Sequence, residues 1–322
     1  MAKFGQIGQY NRRQALTGLG RGLLGLGALG AAGATLSGCT SSQDGDQSAA
    51  KKSTRSITVG SKGFAESWIT GELYAQGLRN LGYTVDLKTN VGSSDIINTA
   101  LLSGQIDLYP EYTGVMLVTF MGEDKLMDSA QETYDLAQTW AEDNNVTMLR
   151  ATPFENKNAV AVRREFADEH DLTTMSDLKG IGDFTYSTYP DNVTGAQGYE
   201  GIVDTYGLDN MKLKTLSIGL NYQAIERGEI DAADVFTTDP QLLRSDLVVL
   251  DDDKKLFGFQ NVVPLIRDDA FAELDDDASE LLDELQSLLT LEAIQAMNEA
   301  SAINRLDPAH VAKMFLDENG LM

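Results

Sequence analysis

From residue 57 onward, short β-rich runs alternate with stretches of helical period. Ile57-Thr58-Val59-Gly60 and Tyr83-Thr84-Val85-Asp86-Leu87 carry strand patterns, and between them Ile69, Leu73, Gly77 and Leu81 recur on one face of a helix over 66–81. A helix over 95–102 leads through a turn into a third strand within 104–109, and an amphipathic helix over 130–144 leads to a strand at 147–149. A second block begins near Asn158, with strands at 159–162, 184–187, 213–218 and 233–236 and helices at 198–206 and 222–227. Residues 262–266 predict a return strand. Three amphipathic helices, 278–289, 291–300 and 308–319, close the chain, the last opened by Asp307 and Pro308 as N-cap and first helical residue. Strands alternating with helices in this way predict an α/β fold. One echo runs between the blocks: Leu101-Leu102-Ser103-Gly104-Gln105-Ile106-Asp107 resembles Ile225-Glu226-Arg227-Gly228-Glu229-Ile230-Asp231, each ending a helix at glycine before a strand. The echo predicts two similar α/β lobes.

The first 39 residues have a different character. Arg12-Arg13, within Asn11-Arg12-Arg13-Gln14-Ala15-Leu16, resembles a twin-arginine export motif, and a Gly/Ala/Leu-rich stretch runs from Leu16 to Leu36. Seven glycines and Arg21 in that stretch argue against a membrane-spanning helix. It ends in Leu36-Ser37-Gly38-Cys39, which resembles a lipobox, so Cys39 is the expected lipidation site and mature N-terminus. Gly25-Leu26-Gly27-Ala28-Leu29-Gly30 matches a dinucleotide-loop pattern by spelling only, because no strand precedes it. Residues 40–56 are polar and aperiodic and read as a flexible tether.

Charge then narrows the function. The four basic residues of the leader removed, 21 Lys and Arg face 49 Asp and Glu, a formal charge of −28. Nucleic acid is thereby excluded as a partner, since phosphate binding runs on Lys and Arg. Electrostatic attachment to anionic lipid is disfavoured too, which makes a covalent anchor the expected link to a membrane. A solvated surface suited to high salt accounts for the acidity. Cys39 is the only cysteine and His170 and His310 the only histidines, so no disulfide framework, metal site or cofactor is expected. No Gly-x-Ser-x-Gly elbow or histidine-based triad supports a secreted hydrolase, and no Walker loop supports an ATPase.

With those elements placed, residues 57–321 resemble the quaternary-amine binding proteins of ABC importers, the betaine, carnitine and choline receptors. The resemblance rests on Gly60-Ser61-Lys62-Gly63-Phe64-Ala65-Glu66 and Asp107-Leu108-Tyr109-Pro110-Glu111-Tyr112-Thr113-Gly114, supported by Phe236-Thr237-Thr238-Asp239 and Leu250-Asp251-Asp252-Asp253-Lys254. It implies a two-lobed periplasmic-binding-protein fold of type II with two crossover strands: lobe one from 57–155 plus 262–322, lobe two from 156–261. It also implies a small solute held between the lobes, delivery to an ABC permease served by a cytoplasmic ATPase, and an extracytoplasmic place of work.

A betaine has a trimethylammonium head that donates no hydrogen bond and is held by aromatic faces, and a carboxylate tail that wants cationic or hydroxyl donors. The resemblance puts Lys62 at a tail-donor position and Tyr112 and Phe236 at cage positions. It puts Val115 where a threonine donor is expected, Asn158 and Gln260 where cage aromatics are expected, and the slot of a tail-binding arginine near Gly195. Two readings follow. Either neighbouring rings (Tyr186, Tyr189, Phe257, Phe259, Phe154 or Tyr222) refill the cage, or the pocket suits a more polar solute bonded by Asn158 and Gln260. Glu66 and Trp68 are expected to cap or pack the first helix, and Asp251–Asp253 to form a solvated turn. A sensing role for the same receptor stays open beside transport.

Overall fold

The computed structural model describes residues 56–123, 127–194, 197–217 and 219–322. Cys39, the twin arginines, nearly all of the tether and the Gly195 slot lie outside them. The first block runs β1 (Ser56–Gly60), α1 (Ala65–Asn80), β2 (Thr84–Lys88), α2 (Ser94–Leu102), β3 (Leu108–Tyr112), α3 (Ala130–Asp143) and β4 (Val146–Met148). The second runs β5 (Asn158–Arg163), α4 (Arg164–His170), β6 (Phe184–Thr188), α5 (Tyr199–Tyr206), β7 (Met211–Thr215), α6 (Leu220–Glu226), β8 (Ala232–Phe236) and β9 (Leu247–Val249). The chain closes with β10 (Val262–Arg267), α7 (Asp276–Leu288), α8 (Leu291–Asn298) and α9 (Pro308–Asn319).

These strands make two five-stranded sheets, ordered β2-β1-β3-β10-β4 and β7-β6-β8-β5-β9. In each, three strands run parallel, while the fourth strand, β10 or β5, lies antiparallel to both of its neighbours. The chain leaves the first sheet after β4 and returns to it as β10, which gives the two crossovers of a two-lobed α/β fold. Separate apolar clusters lie on the two faces of each sheet, as strands buried on both sides require. On the first sheet, α1 packs with α7, α8 and α9 on one face, while α2 and α3 cover the other.

The internal echo has a structural counterpart. Gly104 and Gly228 adopt left-handed backbone (φ 75° and 70°) just past α2 and α6, where a side chain would be strained. Three residues on, Asp107 accepts the Thr58 amide at 2.7 Å, and Asp231 accepts the Thr185 amide at 2.8 Å. Each aspartate also meets an arginine at the end of a crossover strand: Arg267 of β10 lies 2.9 Å from Asp107, and Arg163 of β5 lies 3.8 Å from Asp231. The same Gly-x-x-Asp device thus fastens the central parallel strands to the crossover strand in both lobes.

Three expectations need correction. The third strand, read within 104–109, instead spans Leu108–Tyr112 and carries Tyr109-Pro110-Glu111-Tyr112 fully buried. Pro110 is tolerated there because it faces Pro264 of β10 at a position where neither amide points into the pair. The Thr113 amide, which donates to the Asn261 carbonyl at 3.0 Å, sets that alternation. The strand read at 213–218 instead spans Met211–Thr215, paired throughout with β6. The helix read to residue 300 stops at Asn298 and widens into a π-helical turn, Glu299–Ile303. A second π turn, Met116–Phe120, follows β3. Such turns often mark functional sites, and here Ala302 of the first and Val115, the residue before the second, line one cavity.

Candidate functional site

At the carboxyl ends of β1, β3 and β8, where open α/β sheets bind their ligands, a cavity of about 700 Å³ opens between the two sheets. Lys62, Tyr112, Asn158, Phe236 and Gln260, scattered over two hundred residues of sequence, all line it. So do Phe64, Glu66, Asn156, Asp239, Phe257 and Asn298.

Lobe one contributes a buried ion pair. Lys62 Nζ lies 2.5 Å from Glu111 Oε1 with both side chains almost wholly buried, and it donates to Ser94 Oγ at 3.0 Å. It also sits 4.6 Å from the centre of the Tyr112 ring. Two of its three N–H groups are therefore committed within the protein, and a ring expected to serve a ligand already carries a cation on its face. The Ser67 hydroxyl fixes the loop by accepting the Lys62 amide at 2.8 Å.

Glu66 is the second centre, and here the expectation of a capping or packing role fails. The residue is 3% exposed and lines the cavity. Its carboxylate accepts Tyr112 Oη at 2.7 Å, Asn156 Nδ2 at 3.0 Å and Asn298 Nδ2 at 3.1 Å. Burial beside Glu66 holds the Tyr112 phenol well above its ordinary value, so it stays a donor. Asn298 donates also to the Thr238 carbonyl at 3.1 Å and thereby ties Glu66 to the opposite lobe.

Lobe two supplies two further carboxylates. Asp234 accepts Asn158 Nδ2 at 3.1 Å, Thr188 Oγ1 at 2.9 Å and Asn192 Nδ2 at 3.2 Å. Burial raises its pKa to about 6, against which these three bonds pull only partly. Asp239 accepts Tyr222 Oη at 2.7 Å and the Phe236 amide at 3.0 Å, and burial raises its pKa as well. Among the described residues no Lys or Arg forms an ion pair with Glu66, Asp234 or Asp239. The cavity surroundings are thus electronegative and rich in acceptors: Glu111 Oε2, Asn156 Oδ1 and Asn298 Oδ1 are buried without a hydrogen-bond donor.

Asn158 and Gln260 reach the cavity with their amides partly committed, Asn158 to Asp234 and Gln260 Oε1 to the Val115 amide at 3.2 Å. Of the rings considered as replacements, Phe257 lines the main cavity; Phe64, unforeseen from sequence, joins it and stacks at 6.4 Å on Tyr112. Four aromatic side chains therefore border the space. Asp251–Asp253 is more than a solvated turn, because Asp252 accepts the Leu256 and Phe257 amides at 2.9 and 2.8 Å and seats Phe257. Asn192, within a glycosylation-type Asn-Val-Thr, spends its amide on Thr188 and Asp234. Sequence reasoning missed Glu111 and Glu66. A charge inside the otherwise unbroken buried run Leu108–Tyr112 was the available signal, since a buried charge requires a partner.

Residues 55–318 match the OpuAC family, described as the substrate binding domain of ABC-type glycine betaine transport system. The chain is 29% identical over 284 residues to the glycine-betaine-binding protein of Pseudomonas aeruginosa, covering 83% of this chain and 88% of that one. It is 28% identical over 267 residues to the ergothioneine transport permease/ergothioneine binding protein EgtU of Helicobacter pylori, covering 82% of this chain but 48% of that protein, about half its length. A crystal structure of a glycine betaine/carnitine/choline ABC transporter shares the fold, with a TM-score of 0.76 at 23% identity over 82% of this chain and 99% of that one.

Two outcomes test this electrostatic account. Replacing Glu111 by Met leaves the Lys62 ammonium buried and uncompensated and should cost about 3–5 kcal/mol in urea unfolding, whereas the double change with Lys62→Met should recover most of it. A single variant of wild-type stability would mean that the pair is not desolvated. For Asp234 the folded pKa exceeds the ordinary 3.8, so its contribution to stability is full below about pH 4 and is lost as pH rises through about 6. Relative to wild type, Asp234→Asn should therefore gain on the order of 2–3 kcal/mol between pH 4 and pH 7. A gain in the opposite direction would show that Asp234 is stabilised as an anion.

Proposed function

The chain belongs to the family of substrate binding domains of ABC-type glycine betaine transport systems, and on that premise we propose that it captures a glycine betaine-like solute or related amine for import. Binding, not catalysis, is its activity. The carrying observation is the cavity between the sheets, bordered by Phe64, Tyr112, Phe236 and Phe257 and surrounded by carboxylates without cationic partners. Aromatic faces and uncompensated carboxylates favour a cation, and do so most where water is excluded. Lys62, Tyr112, Asn158, Phe236 and Gln260 are the contacts assigned to the solute, with Lys62 facing any anionic tail through its remaining N–H.

In the same reading the loaded receptor closes about its solute and docks on a permease outside the cytoplasm, with a cytoplasmic ATPase driving uptake. Cys39 carries the lipid that holds it at the outer face of the membrane, and the residues that follow serve as its tether. An acidic surface gives the domain no electrostatic hold on anionic lipid, so the covalent link is what keeps it near the permease and raises their effective concentration.

Glycine betaine, carnitine or choline should raise the thermal unfolding temperature of the domain in high salt, because a ligand of the native state stabilises it. Phe236→Ala should weaken the tightest of them about tenfold by calorimetry, the scale of one cation–π face. Absence of any response among these compounds would overturn the reading. Cys39→Ala should move the full-length protein from the membrane fraction to the extracytoplasmic soluble fraction; retention at the membrane would remove the anchor from the scheme.

A further inference from the structure

Behind Phe236 and Asp239, which border both spaces, a side pocket of about 70 Å³ enters lobe two between β8 and the amino end of α6. Its polar lining sets two carboxylates among hydroxyl and amide side chains. Asp234 and Asp239 face it, and the donors nearest them are already spent: Thr188 Oγ1 on Asp234 and Tyr222 Oη on Asp239. Asn221, 8% exposed, gives its amide N–H to the Asp234 carbonyl, which fixes its orientation and leaves Oδ1 buried without a donor. Gln241 Oε1, also on the pocket wall, is likewise buried without a donor. Around one small space lie two carboxylates that, among the described residues, have no ion-pair partner, and two amide oxygens without a donor, a setting that favours a group bringing both N–H donors and positive charge. Leaving the two amide oxygens empty carries a desolvation cost that a donor would relieve.

A trimethylammonium group cannot fill it. The methyl groups present no N–H, and their bulk suits the wider aromatic space on the other side of Phe236. An NH₃⁺ or a guanidinium brings two or more N–H donors and a positive charge in a small volume, which matches both the oxygens and the field. The burial that pushes Asp234 and Asp239 upward in pKa is what an apposed cation would relieve.

We propose that the side pocket bounded by Asp234, Asp239, Asn221 and Gln241 is a subsite for an N–H-bearing cationic group of the solute, a primary ammonium or guanidinium. The inference rests on the receptor reading above and narrows its substrate class: the solute carries a methylated or apolar portion against the rings and an N–H cation a short linker away. This subsite adjoins the aromatic cage across Phe236 and is supplied by lobe two alone.

The test uses two probes that differ at one end only, choline and (2-aminoethyl)trimethylammonium, titrated calorimetrically into the mature protein at pH 7.5. The amine should bind at least about tenfold more tightly than the alcohol, the scale of one charge-assisted hydrogen-bond site. Asp239→Asn should reduce that ratio severalfold. Should that variant fail to fold, Gln241→Met, which removes only a neutral acceptor, should reduce it by a smaller but measurable factor. A ratio near one in wild type while choline or glycine betaine still binds would overturn the subsite and leave the receptor reading intact. Failure of every compound to bind would remove both. If sodium chloride but not potassium chloride stabilises wild type, and Asp239→Asn abolishes the difference, the pocket holds an inorganic cation and the subsite is overturned.

Discussion

The buried pair of Lys62 and Glu111 is the interaction on which the shape of the cavity depends. Its two members come from the loop after β1 and from the middle of β3, and their union at 2.5 Å fixes those segments side by side. Glu111 also accepts the Tyr112 amide at 2.8 Å, so the same carboxylate sets the backbone that presents Tyr112. Tyr112 in turn donates to Glu66, and Glu66 gathers Asn156 and Asn298. A buried pair of this kind gains little net stability over an apolar replacement. What it secures here is geometry, together with a cavity wall whose one deeply buried cation is already neutralised. The remaining carboxylates then govern the field.

Much of the fold was legible before the structure. Period-two and period-3.6 patterns placed most strands and the long helices to within a few residues, because in this architecture sheet faces and helix stripes are buried against each other. The echo at Gly104 and Gly228 pointed to two like lobes, and the structure gives its reason in the paired aspartates that follow. Strand β3 runs on past residue 109 through Pro110, a residue that argues locally against a strand; its tolerance depends on facing Pro264, more than 150 residues away. The π turns were invisible for a similar reason, since Met116–Phe120 and Glu299–Ile303 have ordinary helical patterns and acquire their wider pitch from packing.

The site was legible in part. Five residues inferred from resemblance meet at one cavity, but what each does there depends on partners that spacing does not reveal. Lys62 reads in sequence as a free cation after a strand, and only the three-dimensional arrangement brings Glu111 to it. Asn158 reads as a lost aromatic, yet its amide is one of three groups that orient Asp234. Phe64 and Phe257 supply rings at positions where no cage residue was sought, so the aromatic character of the space survives the substitutions. Asp239, the last residue of the Phe236-Thr237-Thr238-Asp239 run, was read as motif and not as chemistry.

Asn298 shows how the binding space and the relation of the lobes are joined. It stands at the last turn of α8, where the helix widens, and its single amide group donates to Glu66 of lobe one and to the Thr238 carbonyl of lobe two. Gln295, one turn earlier, donates to the Thr237 carbonyl at 2.8 Å, and Glu299, one residue later, pairs with Arg244 of lobe two. One face of a helix thus holds the edge of the second lobe while touching the carboxylate nearest the cavity. A cation entering beside Glu66 would draw on the carboxylate to which Asn298 is bound, so ligand and lobe contact would share one group. A ligand can shift a two-state opening only by its differential affinity for the two states. Glu66, bonded to Tyr112 and Asn156 and joined through Asn298 to the Thr238 carbonyl, is one group through which such a difference would act.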